Sequence, residues 1–104
     1  MSQYPNLTAF AFEELDVSST AKVFTQATAF VDGTSDQAVL AVCTVEDDAV
    51  RWRDDGLAPT ATVGQLEPAG TRFEVKGAAA IKKFQVIRVT GDADVSVSYY
   101  REGP

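Results

Sequence analysis

The chain has 104 residues, of which 45% are hydrophobic and 23% charged, so its length and composition suit one domain with a modest core and exclude a disordered chain. Fifteen acidic residues against nine basic ones give a formal net charge of −6, which argues against nucleic-acid binding through phosphate contacts. A single cysteine excludes an internal disulfide, and the lack of histidine removes the commonest general acid–base and metal ligand.

Turn sequences rich in Gly, Pro and Asp recur every ~8–12 residues, and β-branched and aromatic residues dominate the segments between them. This pattern predicts seven or eight short strands. Residues 38–45 are apolar on both faces, which is typical of a central strand, whereas Pro59 marks an edge or extended segment. The predicted strands or extended segments cover, in chain order, residues 7–15, 22–31, 38–45, 50–53, 57–66, 71–76, 83–89 and 93–100.

Alternation along these segments predicts which side chains face the core. Phe10 and Phe12 share a face if residues 7–15 are extended, although a loop that gives both rings to the core would also fit. Residues 77–80 fit either one helical turn or a small-residue loop. The pattern is that of an all-β, antiparallel sandwich or closed barrel. Phe84 and Val86 are predicted to face one way and Ile87 and Val89 the other, with no assignment of which pair is inward. The predicted inward side chains of the other strands are Val50, Trp52, Phe73, Val75, Val95, Val97 and Tyr99, and turns are predicted at 32–36, 68–70 and 90–92.

Cysteine and aspartate supply the candidate chemical groups. Cys43 lies inside an apolar strand, so we interpret it as a small core residue. Three aspartate pairs, Asp47–Asp48, Asp54–Asp55 and Asp92 with Asp94, flank predicted strands. Aspartate favours turns for its own backbone hydrogen bonds, and we prefer that role to the alternatives of calcium binding and paired-carboxylate hydrolysis.

Arginine and aromatic residues supply the candidate contacts to other proteins. Arg51 and Arg53 flank Trp52, a composition enriched in interface hot spots, unless Trp52 is core and the arginines are solvated. Tyr100 and Arg101 offer a second such surface near the end of the chain. The predicted contact residues are therefore Arg51, Arg53, Tyr100 and Arg101, with residues 1–6 as a flexible arm that could act as a strap.

A series of short segments between residues 50 and 101 spans about half of the chain. It comprises Arg51-Trp52-Arg53-Asp54-Asp55-Gly56, Ala58-Pro59-Thr60-Ala61-Thr62-Val63-Gly64, Ala69-Gly70, Phe73-Glu74, Ile81, Phe84 and Val95-Ser96-Val97-Ser98-Tyr99-Tyr100. This series resembles small structural proteins of tailed bacteriophages, of the head decoration or cement type. The resemblance implies a jelly-roll-like β-sandwich on the capsid surface that binds the major capsid protein.

The expected protein is therefore a single domain over residues 1–104 that is not an enzyme and uses no cofactor or metal. We expect binding to the major capsid protein and self-association as a dimer or trimer, and no binding to nucleic acid or membrane. The first residues lack the basic and apolar regions of a secretory signal, which favours synthesis in the host cytoplasm before assembly into the virion. Two alternatives stay open. One is a carbohydrate- or receptor-binding β-sandwich of a phage tail or fibre, and the other, less favoured, is a small glycosidase.

Overall fold

A computed structural model describes residues 6–25 and 37–103, and the described chain forms two antiparallel β-sheets and one short helix. The four-stranded sheet A has the order β1-β7-β2-β5, and the three-stranded sheet B has the order β4-β3-β6. The prediction of a mostly β chain with antiparallel sheets is confirmed. The elements are β1 Leu7–Val17, β2 Leu40–Glu46, β3 Val50–Arg53, β4 Gln65–Glu67, β5 Arg72–Lys76, α1 Ala78–Lys83, β6 Gln85–Arg88 and β7 Ala93–Glu102.

Strand β7 organises sheet A, because it pairs with β1 on one side and with β2 on the other. Every second residue of β7 is buried, as the alternation predicts, from Ala93 to Tyr99. Strand β2 lies between β7 and β5, which confirms the prediction of a central strand. Its side chains at Ala41, Cys43 and Val45 join the main core.

The inner faces of the two sheets share one core in which aromatic rings join the elements. Trp52 of β3 stacks on Phe73 of β5, with ring centroids 4.8 Å apart. Phe24 stacks on Phe84 at 4.0 Å and meets the ring of Tyr99 edge-on at 5.4 Å. Sheet A and sheet B are therefore held together by ring contacts that cross from one to the other.

The predicted strand over residues 22–31 is described only as far as residue 25. Within that part, Lys22 forms an isolated antiparallel bridge to Val86 of β6, with main-chain hydrogen bonds of 2.8 and 2.9 Å in the two directions. The remainder of this strand and the predicted turn at 32–36 lie outside the described residues.

Phe10 and Phe12 do not share a face, so that part of the prediction for β1 is wrong. The register of β1 against β7 shifts between Ala9 and Ala11, which makes Phe10 the extra residue of a β-bulge. A bulge changes the alternation of side chains along a strand. Phe10 consequently packs against the core, while Phe12 is 57% exposed on the outer face of sheet A.

The predicted extended segment 57–66 is mostly a loop, and only its last two residues belong to β4. Thr60 and Val63 exchange main-chain hydrogen bonds of 2.9 and 3.3 Å, which folds the segment back on itself. Pro59 is buried, and β4 forms the edge of sheet B. The end of the predicted segment is an edge strand, but the predicted extent is wrong, because Pro59 lies in the loop and not in β4.

The short helix agrees with one of the two alternatives that were predicted for residues 77–80, and the predicted turn at residues 68–70 is also present. Gly77 is the N-cap of the helix α1, and residues 78–80 begin the helix, which buries Ile81, so the helical alternative is confirmed. Thr71 N donates to Pro68 O across the predicted Pro-Ala-Gly turn, where Gly70 has a φ of +86°. Within the described residues, no helix is long and apolar enough to cross a membrane.

Candidate interaction site

Arg51 lies in the middle of β3 and holds the loop that follows it. Its Nε atom donates to Ala61 O, and its Nη1 atom donates to Gly64 O, each at 3.0 Å. The register places Arg51 between Leu66 of β4 and Ile87 of β6, on the outer face of sheet B. The guanidinium that was predicted as a contact for another protein thus satisfies carbonyl groups of its own chain.

The loop between β3 and β4 is fixed in shape by close packing around Gly64. A Cβ atom at Gly64 would lie 3.2 Å from Cβ of Arg51, Cβ of Pro59 and the carbonyl oxygen of Trp52. The φ of Gly64 is +137°, a conformation that side-chain-bearing residues rarely adopt. Glycine is therefore required where the loop approaches the sheet most closely.

Three apolar side chains of this loop and of β4 are exposed. Leu57, Val63 and Leu66 are 59%, 51% and 50% exposed. We call these three side chains the β3–β4 surface. Beside Val63 lies an open depression of about 430 Å³, and it is lined by Arg53, Asp54, Asp55, Val63, Gly64 and Gln65.

Arg53 forms a two-pronged ion pair with Asp55 at the end of β3. The Nε–Oδ1 and Nη2–Oδ2 distances are 3.1 and 2.5 Å. The hydrogen bond from Arg53 lowers the pKa of the Asp55 carboxyl, and the Leu57 N–H group adds to this effect. The same pair raises the pKa of Arg53. Arg53 therefore already has a partner within its own chain.

Trp52 packs against the core, as the alternative interpretation of this residue predicts. One face of its ring is stacked on Phe73, with an angle of 12° between the planes. Its Nε1 atom donates to Glu67 Oε2 at 3.1 Å. Both contacts of the Trp52 ring are therefore made within its own chain. A sugar-binding site would need an exposed aromatic ring, and one face of this ring is covered by Phe73.

The four predicted contact residues do not form one surface. Arg51 and Arg53 lie on the outer face of sheet B, whereas Tyr100 and Arg101 lie at the far end of β7 in sheet A. Tyr100 stands opposite Ala9 of β1 and Leu40 of β2, and it is half-buried there. The structure thus separates the predicted residues into two pairs.

Glu13 ties β1 to two other parts of the chain, and the sequence analysis missed it. Its carboxylate accepts hydrogen bonds from the Tyr99 hydroxyl, from Thr25 N at 3.0 Å and from the Thr25 hydroxyl. Burial raises the pKa of the Tyr99 hydroxyl, and the bond to Glu13 raises it further. An acidic residue two positions before the buried Leu15 is the feature of the sequence that points to this network.

Cys43 is fully buried in the core, as predicted. Burial raises the pKa of its thiol, and the nearby carboxylates of Glu67 and Glu13 act in the same direction. Because a nucleophilic cysteine needs an accessible thiolate, this environment keeps Cys43 in its unreactive form.

Acidic residues gather on the outer face and at one end of sheet A. Asp16, Asp94 and Glu46 stand directly opposite one another across β1, β7 and β2. Asp94 has a raised pKa because of burial and because Asp16 and Asp47 lie within hydrogen-bond reach. The predicted pair Asp54–Asp55 lies elsewhere, at the end of β3. Among residues 6–25 and 37–103, no group of three or more acidic or cysteine side chains is arranged to hold a metal ion.

No protein-family model matches the chain, and neither a curated protein nor a solved structure matches it.

Proposed function

We propose that this chain is a non-enzymatic structural protein of a tailed-bacteriophage virion. In this proposal it is a jelly-roll β-sandwich on the capsid surface that binds the lattice of the major capsid protein and stabilises the head. The observation that carries the proposal is the β3–β4 surface. Arg51 holds the loop in shape, and the loop and β4 together still expose three apolar side chains, which suits contact with another protein.

The pairing of the strands supports a jelly roll. The pairs β1–β7, Lys22 with β6, β2–β5 and β3–β4 are nested one inside the next along the chain. Nested antiparallel pairs are those of one long hairpin, here with three strands and the Lys22 bridge on the first arm and four strands on the second. Rolling that hairpin up places β7 beside β2 and β6 beside β3, which are the two remaining pairs. A jelly roll has eight strands in this arrangement, and it recurs in viral capsid proteins.

The size of the β3–β4 surface supports binding to a repeating lattice. Three half-exposed aliphatic side chains offer far less than the ~800 Å² per partner of a stable pairwise interface. Many weak contacts made together on a capsid would still hold firmly, because each bound copy or linked subunit raises the effective concentration of the next contact. We also propose self-association as a dimer or trimer, because linked copies of the chain would bind the lattice through several contacts at once.

The net charge supports a position on the outside of the head. A formal charge of −6 repels DNA phosphates, so the chain is suited to the outer surface and not to contact with packaged DNA. Synthesis in the host cytoplasm followed by addition to the assembled capsid completes the proposal.

Cosedimentation with expanded, undecorated capsids of the phage that encodes the chain tests this proposal. We expect saturable, stoichiometric binding by the native chain and a loss of at least about tenfold in affinity for the triple variant Leu57→Ser, Val63→Ser and Leu66→Ser. Val23→Ser is the matched control. It removes an aliphatic side chain of similar exposure (49%) from the segment beside β6, at the opposite edge of sheet B. The absence of binding by the native chain at micromolar concentration would overturn the proposal.

A further inference from the structure

The open edge of sheet B combines three features. They are exposed apolar side chains, main-chain groups directed away from the sheet, and an exposed carboxylate. Strand β4 pairs with β3 alone among the described strands. The exposed side chains of Val63 and Leu66 lie at this edge, and the depression that contains Asp54 adjoins it. An edge of this kind can accept an extended segment of another protein as an added strand.

The register shows which main-chain groups of β4 face outward. Val89 N donates to Ala49 O at 3.3 Å, so the odd-numbered residues of β3 bond to the β6 side. The even-numbered residues of β3 then bond to their partners Gln65 and Glu67 in β4. The N–H and C=O groups of Leu66, between those two residues, are consequently directed toward the open edge.

The charge of the depression indicates what kind of side chain fits there. Arg53 and Asp55 neutralise each other through their ion pair. Asp54 is exposed, and within the described part of the chain it has no ion-pair partner. The depression therefore carries an excess negative charge, which is complementary to a lysine or arginine.

We propose that β4 binds an extended segment of the major capsid protein in which an apolar residue and a lysine or arginine point to the same side. The main chain of that segment pairs with Leu66, its apolar side chain contacts Val63 and Leu66, and its basic side chain reaches Asp54. Side chains an even number of positions apart in a strand share a face, so the apolar and basic residues are separated by an odd number of residues. This inference rests on the proposed function, because it names the partner segment for the same surface.

Two pairs of variants test this inference by cosedimentation with undecorated capsids at two salt concentrations. Asp54→Lys reverses the charge in the depression, and we expect its affinity to fall about tenfold at low salt and less at high salt. Glu102→Lys makes the same change of charge at the exposed end of β7 and is expected to bind as the native chain does. Leu66→Pro and Leu66→Ala both remove the apolar side chain, but only Leu66→Pro also removes the outward N–H group. Proline is tolerated at such an edge, so we expect Leu66→Pro to bind less than Leu66→Ala.

The outcomes separate this inference from the proposed function. If the native chain binds capsids but Asp54→Lys binds equally well, or Leu66→Pro binds as well as Leu66→Ala, the added-strand inference is overturned and the proposed function stands. Self-association of the free chain through β4, detected by sedimentation velocity and abolished in Leu66→Pro, would overturn it in favour of a second copy as the occupant. If the native chain does not bind capsids at all, the proposed function itself is overturned.

Discussion

Glu13 is the residue whose side chain links β1 both to β7 and to the segment that contains Thr25. Its carboxylate joins the hydroxyl of Tyr99 on β7 to Thr25, beyond the strand that contains Glu13 itself. Tyr99 is fully buried, and a buried hydroxyl without a partner costs free energy. The network therefore explains why a tyrosine is compatible with a position that otherwise suits phenylalanine.

Tyr99→Phe is expected to lower the free energy of unfolding by about 1–2 kcal/mol, because it removes the hydroxyl that donates to Glu13. Tyr100→Phe makes the same chemical change at the next residue, on the half-buried outer face of sheet A, and is expected to change stability very little. Urea unfolding of the two variants measures the difference. Equal losses for both variants would contradict a stabilising role for the Glu13–Tyr99 bond.

At the scale of elements, the outer face of sheet A combines three strands that each present acids. Asp94 has an acid directly opposite on both sides, and like charges in such cross-strand pairs destabilise a sheet. In the adjacent row, the hydroxyl of Ser96 donates to Glu46, and the Glu14 carboxylate lies 3.4 Å from the same hydroxyl. The pKa of Glu14 is raised above its ordinary value of 4.5 by burial and then by Glu46. Carboxyl groups with raised pKa values destabilise the fold at neutral pH and cease to do so as they are protonated.

Glu46→Gln is therefore expected to raise the melting temperature at pH 7, because the amide keeps an oxygen acceptor for Ser96 and removes the charge beside Glu14. The gain should shrink as the pH falls through the raised pKa of Glu14 and vanish below its ordinary value of 4.5. Glu102→Gln is the control for the loss of one negative charge. The measurement is the melting temperature of both variants and the native chain from pH 7 to pH 4. A gain that does not depend on pH would contradict the argument.

The alternation of apolar and polar residues predicted β5 and β7 well, because each strand has one buried face and one more exposed face. It failed where an element departs from regular geometry. The β-bulge at Phe10 depends on the register with β7, and a single strand does not encode that register. The hydrogen bonds of Arg51 depend on a loop ten and thirteen residues further on, so the sequence pattern identified the arginine but not its partners.

At the scale of the whole molecule, the nested strand pairs and the β3–β4 surface together lead to the proposed role. Two antiparallel sheets that share one core place their loops and edges at the periphery, where they are available for contacts. A head decoration protein must add stability to a lattice that already exists. The proposed role therefore concerns the stability of the capsid, and a property of the capsid tests it most directly.

That test is the temperature at which expanded capsids release their contents or break apart, measured with and without a saturating amount of the purified chain. We expect the disruption temperature to rise with occupancy and to reach a plateau at a fixed ratio of chain to capsid subunit. We also expect a smaller rise for the variant in which Leu57, Val63 and Leu66 are replaced by serine. A disruption temperature that stays unchanged on fully occupied capsids would contradict the stabilising role.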